Sequence, residues 1–281
     1  MNTRRLQLIP YLLLAPMAVY MVTFYLLPLF LILVDSLATK QPDASLVFSW
    51  NVAPYAEALR AQYFVVLLRS LSYAALCTTF CLLLGYPLAW YIAMHGGKRR
   101  STLLLLIMLP FWTSYLIRTY AWIVLLRGHG VINEGLQALG LLHAPLQMLN
   151  TPFAVVLGLT YGFLPFMTLP IYVTLEKMDR RFLEASADLG ASPFWGFVKV
   201  TWPLSLPGVM AGTVLTFIPS VGDFVTPELL GGTSTEMIGK VIMAQFMMAD
   251  NWPLGSALSF LLLLLMMGGI VLYVRQGGGE L

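Results

Sequence analysis

The sequence predicts an all-α membrane protein with six transmembrane helices, and three observations carry that prediction. Of 281 residues, 59% are hydrophobic and only 10% are charged. A soluble domain carries about 25% charged residues, so most of this surface must face something other than water. The apolar residues gather into six runs long enough to cross a bilayer, which takes about 20 mostly apolar residues. Basic residues, finally, fall unequally on the two sets of flanks, as they do in oriented membrane proteins. The net charge of +3 points to no nucleic-acid partner. The lipid bilayer is the partner that composition demands.

The six runs cover residues 8–34, 64–93, 102–126, 153–175, 208–230 and 254–274. The first follows Arg4 and Arg5 and resembles a signal peptide at its start. The apolar part of a signal peptide spans about 7–15 residues. This run is about twice that, with no small-x-small cleavage site to close it, and it reads as an uncleaved first span. One set of flanks holds Arg4, Arg5, Lys98, Arg99, Arg100, Lys177, Arg180, Arg181, Lys199 and Arg275. The other holds only Lys40, Arg60, Arg69, Arg127 and Lys240. The two-to-one bias puts both termini in the cytoplasm.

The loops on the outer side carry short helices of their own. Thr233 and Glu236 have capping-box spacing ahead of Ile238, Val241, Ile242, Gln245 and Phe246. That pattern predicts an amphipathic helix at the outer membrane face, and residues 51–63 repeat it less clearly. Cys77 and Cys81 stand four apart inside an apolar run and read as packing residues, since no disulfide or zinc pattern surrounds them. His95, His129 and His143 read as solvated loop residues at no metal-ligand spacing.

The fourth loop, 176–206, is cytoplasmic by the charge rule, yet it is neither simply polar nor of disordered composition. Two short helices and a turn account for it. Asp179 is placed to cap the first, which carries Phe182, Leu183, Ala185, Ala187 and Leu189. Gly190 supplies the turn. Ser192 caps a second helix with Pro193 at its first position, and Pro203 and Pro207 are expected to stop it before the fifth span. Such a bent, stiff element can present a surface to a partner and carry force.

This loop resembles the EAA loop of ABC importer permeases, whose pattern is E-A-A-x-x-x-G, nine residues, then I-x-L-P. Glu184, Ala185, Ser186 and Gly190 match the first half, with serine for the second alanine. Val200, Thr201, Trp202 and Pro203 match the second, with valine and tryptophan for isoleucine and leucine. The resemblance implies a coupling helix that docks on an ATP-binding subunit, with Glu184, Ala185, Ser186, Asp188, Leu189, Gly190, Ala191 and Pro203 as the coupling residues. Residues 83–90 (LLGYPLAW), 110–122 (PFWTSYLIRTYAW), 164–172 (LPFMTLPIY) and 217–232 (FIPSVGDFVTPELLGG) resemble permeases of the spermidine/putrescine type. The implied fold is that of a type I (MetI-like) importer permease, a single domain over 1–281 with its core at 64–275 and its coupling loop at 179–207. The implied partners are two copies of an ABC ATPase subunit, a second homologous permease and a periplasmic or extracellular solute-binding protein. ATP and magnesium would be used by the ATPase, so no cofactor is expected on this chain. The implied place is a bacterial inner membrane.

Charged side chains within spans are costly and mark functional candidates. Asp223 lies 15 residues beyond Gly208, about 22 Å along a helix, with Glu228 farther out. Arg118 lies at similar depth in the third run. Asp223 and Glu228, with aromatic faces from Tyr161, Phe166, Trp112 and Tyr115, form a candidate path for a cationic solute. Phe163 adds a further ring, and Pro165 and Pro219 are expected to break their helices and expose carbonyls. A second reading stands beside it, in which Asp223 or Glu228 forms a structural ion pair with Arg118.

No G-x-x-x-x-G-K-[ST] motif occurs, so a P-loop on this chain is excluded and the power must come from a separate subunit. A secondary transporter would show acidic relays and repeated halves. An intramembrane enzyme would show paired catalytic groups at one depth. Neither pattern is visible, and the chain reads as a non-enzymatic permease for a small cationic solute such as a polyamine. The alternative within importers is another small solute: an opine, a phosphonate, thiamine or ferric iron.

Overall fold

The computed structural model describes residues 14–41 and 46–277. Arg4, Arg5 and the start of the first predicted run lie outside the described residues. The elements in chain order are α1 (Leu14–Ser36), β1 (Ala38–Lys40), β2 (Leu46–Phe48), α2 (Ala53–Ala58), α3 (Ala61–His95), α4 (Arg100–Met108), α5 (Tyr115–Leu126), α6 (Val131–Ala138), α7 (Pro152–Glu176), α8 (Arg181–Asp188), α9 (Pro193–Val221), α10 (Val225–Leu229), α11 (Ile238–Met247) and α12 (Trp252–Gly277). Five helices are long and apolar enough to span: α1, α3, α7, α9 and α12. A sixth span is counted if 97–112 and 115–138, bent by 88° at their junction, are taken as one.

That bend corrects the third predicted run. A 3₁₀ turn over Leu109–Trp112 ends with Thr113 and Ser114 in extended backbone, and α5 starts afresh at Tyr115. Pro110, lacking an N–H, sits at the second position of that turn. The fifth run is corrected as well. Its helix starts at Pro193 and ends at Val221, so Asp223 lies in the break between α9 and α10 rather than inside a helix. Pro203 and Pro207 do not stop the helix. A π-helical turn over Phe197–Thr201 precedes Pro203, so the i−5 pattern there leaves no α-type bond for the missing proline donor to break. Pro165 and Pro219 likewise stand inside continuous helices.

The structure divides into two compact units. One holds the described residues up to Tyr63 together with Ile242–Val271; the other holds Phe64–Val241 and the described residues from Leu272 onward. In the first, the face of α1 is apolar and almost wholly exposed, as a lipid-facing helix requires. β1 and β2 pair antiparallel in the register Ala38↔Phe48, Thr39↔Val47 and Lys40↔Leu46. The hairpin is tied to the loop ahead of α12 by Lys40 Nζ, 2.6 Å from Asp250 Oδ2. That bond, the indole N–H of Trp252 and the Lys40 charge together hold the Asp250 carboxyl below the ordinary carboxylate range.

The second unit contains the core. Tyr73, Cys77, Cys81 and Ala89 of α3 pack against Val155, Leu159, Met167 and Ile171 of α7, with Val209 of α9 closing the cluster. Both cysteines are buried and free, as expected of packing residues. The broadest helix contact joins α7 to α9, and small residues permit it. A Cβ on Gly208 would lie 2.7 Å from Pro170 O, and one on Gly212 would lie 2.8 Å from Met167 Sδ. Close backbone approach of this kind stands in for the hydrophobic effect, which drives little association inside a bilayer.

Two smaller expectations also change. Thr233 and Glu236 do not cap α11: Thr233–Thr235 forms a separate 3₁₀ turn in which Thr235 Oγ1 accepts the Gly232 N–H at 2.6 Å, and α11 begins at Ile238. His95 ends α3 instead of lying in a loop, and its ring stacks on Tyr91 with centroids 5.8 Å apart.

Candidate functional site

The coupling loop folds as two helices around a glycine turn. Asp179 Oδ1 accepts the Arg181 N–H at 2.9 Å and so closes the entry to α8 from one residue ahead of the N-cap, Arg180. Gly190 has φ +79°, in the left-handed region that costs glycine nothing. Leu189 and Gly190 N–H groups bond Ala185 and Ala187 carbonyls, and Ala191 N–H returns to Ser186 O at 3.0 Å. Ser192 Oγ accepts the Trp195 N–H at 3.5 Å, with Pro193 at the first position of α9.

Packing within the loop explains one departure from the pattern. Ser186 Oγ bonds Leu183 O at 2.8 Å, and a Cβ on Gly196 would come within 3.2 Å of it. Only a small side chain fits there, and serine meets that need as alanine would. Glu184, Ala185, Asp188, Gly190 and Pro203 are exposed, while Ala191 is half-buried. Leu189 is 89% exposed, an apolar side chain that nothing among the described residues covers. Phe182, Phe194 and Trp195 are exposed nearby.

A second cluster forms where α9 gives way to α10. Asp223 is half-buried, and every oxygen of its carboxylate is used. Oδ1 accepts the Val225 N–H at 2.9 Å and that of Thr226 at 3.4 Å, an Asx turn that starts α10. Oδ2 accepts hydroxyls from Tyr115 and Thr226, each at 2.5 Å. The two hydroxyls are themselves 2.6 Å apart.

The ion pair considered for Arg118 is not formed. Glu228 instead meets Lys240 of α11 at 3.1 Å, and Tyr115 and Thr226 occupy the lone pairs of Asp223. The Arg118 guanidinium lies over aromatic faces: 4.7 Å from the Phe111 centroid, 5.4 Å from Tyr115 and 6.0 Å from Tyr161. Nη1 donates to Pro110 O at 3.2 Å, and Nε is buried with no partner among the described residues. The bend at Thr113–Ser114 produces this arrangement by folding α5 back so that Arg118 reaches the turn that precedes it.

The predicted path residues divide accordingly. Tyr115, Arg118, Tyr161 and Asp223 come together. Phe166 joins through Phe111, ring centroids 5.2 Å apart, and contacts Phe163 at 6.1 Å. Trp112 is 74% exposed and joins none of these contacts, and Glu228 belongs to the separate pair with Lys240. Phe111, Thr226 and Lys240 were not anticipated. Phe111 stood next to Trp112 in the same aromatic run. Thr226 stood three residues after Asp223, at Asx-turn spacing. Nothing in the sequence signalled Lys240.

Comparison with known proteins places this geometry. Residues 85–277 match the family model described as binding-protein-dependent transport system inner membrane component. The chain belongs to that family. Among its relatives, the spermidine/putrescine transport system permease protein PotB of Haemophilus influenzae is 41% identical over 256 residues, 91% of this chain and 90% of that protein. PotB of Escherichia coli K12 is 40% identical, covering 91% of this chain and 92% of its own. A solved bacterial ABC transporter that imports the acidic polysaccharide alginate shares the fold, with a TM-score of 0.72, 16% identity and 95% of both chains covered. For this family of inner-membrane permeases, the six-span reading and the mostly helical architecture stand.

Proposed function

We propose that this chain is the permease subunit of an ATP-driven importer that carries a polyamine such as putrescine or spermidine across the inner membrane. The observation that carries the reading is the half-buried Asp223 carboxylate, bonded by the hydroxyl of Tyr115, within a chain so similar to spermidine/putrescine permeases. A carboxylate and aromatic faces are what an alkyl-linked ammonium seeks when it leaves water. An arriving ammonium would take over the role of the Tyr115 and Thr226 hydroxyls at Oδ2. Both termini would lie in the cytoplasm, with the 179–207 loop on the same side.

Transport follows as alternating access. A solute-binding protein delivers polyamine at the outer face, and two ATPase subunits close on ATP and magnesium. α8, with Glu184 to Gly190, moves with them, and this chain and a second permease open outward. The chain itself binds no nucleotide and performs no chemistry. One observation favours a different cargo: the Arg118 guanidinium beside the cluster would suit an anionic solute. The test is uptake of labelled putrescine, spermidine and a phosphonate into proteoliposomes bearing the assembled complex. ATP-dependent polyamine uptake supports the proposal. ATP-dependent uptake of the phosphonate alone supports the anion reading, and uptake without nucleotide overturns both.

A further inference from the structure

The last carbonyls of a helix have no donor within it. At the end of α3, Ile92 O accepts the Gly96 N–H at 3.1 Å. The next two are met by arginine side chains, one just beyond α3 and one from a distant segment. Arg100 Nη2 donates to Ala93 O at 3.2 Å. Arg180 Nη2 donates to Met94 O at 2.9 Å and to Ala93 O at 3.4 Å. Arg100 also holds Glu176, the last residue of α7, with Nη1 at 2.7 Å from Oε1. Two guanidinium groups thus sit at the negative end of the α3 dipole. The end of α3, the start of α4, the end of α7 and the entry to α8 meet at one point.

We propose that Arg180 is a positioning residue that passes movement of the coupling helix α8 to the cytoplasmic end of α3, the second span. This rests on the reading that α8 docks on an ATPase. By the chain itself α8 is joined only to α7 and α9. Arg180, the residue just ahead of α8, adds a connection to a helix end 86 positions away in sequence. One nitrogen, Nη2, serves both carbonyls, and the planar guanidinium fixes where its N–H groups point, while a lysine ammonium offers a flexible point charge. Arg180 is itself exposed, and Arg100 also donates to Ala93 O, so the end of α3 keeps a cap when Arg180 is replaced. Transmission is therefore separable from folding.

The experiment uses the complete importer complex in proteoliposomes and measures solute taken up per ATP hydrolysed. Arg180→Gln is expected to lower that ratio about tenfold, the low end of what one hydrogen bond from a charged group contributes. Co-purification of the ATPase and the melting temperature of the complex should match wild type. Arg180→Lys should give a smaller loss. An unchanged ratio in Arg180→Gln, in a complex that retains its ATPase, overturns the proposal. If the Gln variant does not assemble, the Lys variant decides: a ratio equal to wild type overturns it. A wild-type complex with no ATP hydrolysis would instead overturn the importer reading itself.

Discussion

Asp223→Asn removes a charge while leaving most of the local geometry possible. The amide oxygen can still accept the Val225 and Thr226 N–H groups, so the start of α10 survives. The amide nitrogen can donate to the Tyr115 and Thr226 hydroxyl oxygens in place of the two 2.5 Å bonds now made by Oδ2. Two charge-assisted hydrogen bonds become neutral ones, a loss of about 1–3 kcal/mol in total. The effect on a bound ammonium is larger. A unit charge about 4 Å away at an effective dielectric of about 20 contributes about 4 kcal/mol, close to a thousandfold in affinity. Solvent entering the site would reduce that figure. The assay pairs initial rates of polyamine uptake in proteoliposomes with the yield of assembled complex. Uptake should fall by one to three orders of magnitude while assembly falls by less than about half. Equal losses in both would refute the solute role and leave Asp223 as the residue that starts α10.

Three further predictions test other parts of the account. A Cβ on Gly190 meets nothing within 4 Å, so substitution there costs only the left-handed backbone, about 1–2 kcal/mol for an L-residue. ATPase stimulation should fall in the order Asn, Ala, Val, with the protein still present in the membrane; unchanged coupling in Gly190→Val would argue against docking. Gly208→Leu would place Cβ 2.5 Å from Thr174 Oγ1 and 2.7 Å from Pro170 O. The overpacking should cost about 1–3 kcal/mol and lower the melting temperature in detergent; an unchanged value would contradict the close α7–α9 crossing. Asp250 has its pKa lowered from 3.8 by Lys40. The stabilisation it contributes is therefore fully present above 3.8 and is lost as pH falls through the lowered value. Protection of the β1–β2 hairpin, corrected for the intrinsic exchange rate, should fall on acidification in wild type and fall less in Lys40→Met, where only the Trp252 N–H still favours the Asp250 carboxylate.

The legible part of this structure is what composition and periodicity control directly. Apolar runs, the Gly190 turn and the Ser192–Pro193 start of α9 each follow from a local rule that tertiary packing reinforces. Breaks were harder. Pro165 and Pro219 were expected to break their spans, and Pro203 and Pro207 to stop the loop helix, yet all four stand inside helices. The sharp bend came at Thr113–Ser114, two polar residues shortly after Pro110, inside residues 102–126 that read as one mostly apolar span. Pairing of charges was harder still. Arg118 and Asp223 have similar depth in a straight-helix picture, but the bend turns Arg118 toward Phe111 and brings Tyr115 to the carboxylate. The Glu228–Lys240 pair joins two elements with no periodic relation, so no spacing rule reaches it.

The 179–207 loop is proposed to couple this permease to an ATPase. The most direct measurement is co-purification of the tagged chain in detergent with its ATPase and second permease, followed by ATP hydrolysis with and without polyamine-loaded binding protein. The account predicts a stable complex whose hydrolysis rises with the liganded binding protein and whose stimulation is lost in Gly190→Val. A lone chain that moves solute in nucleotide-free vesicles would contradict it.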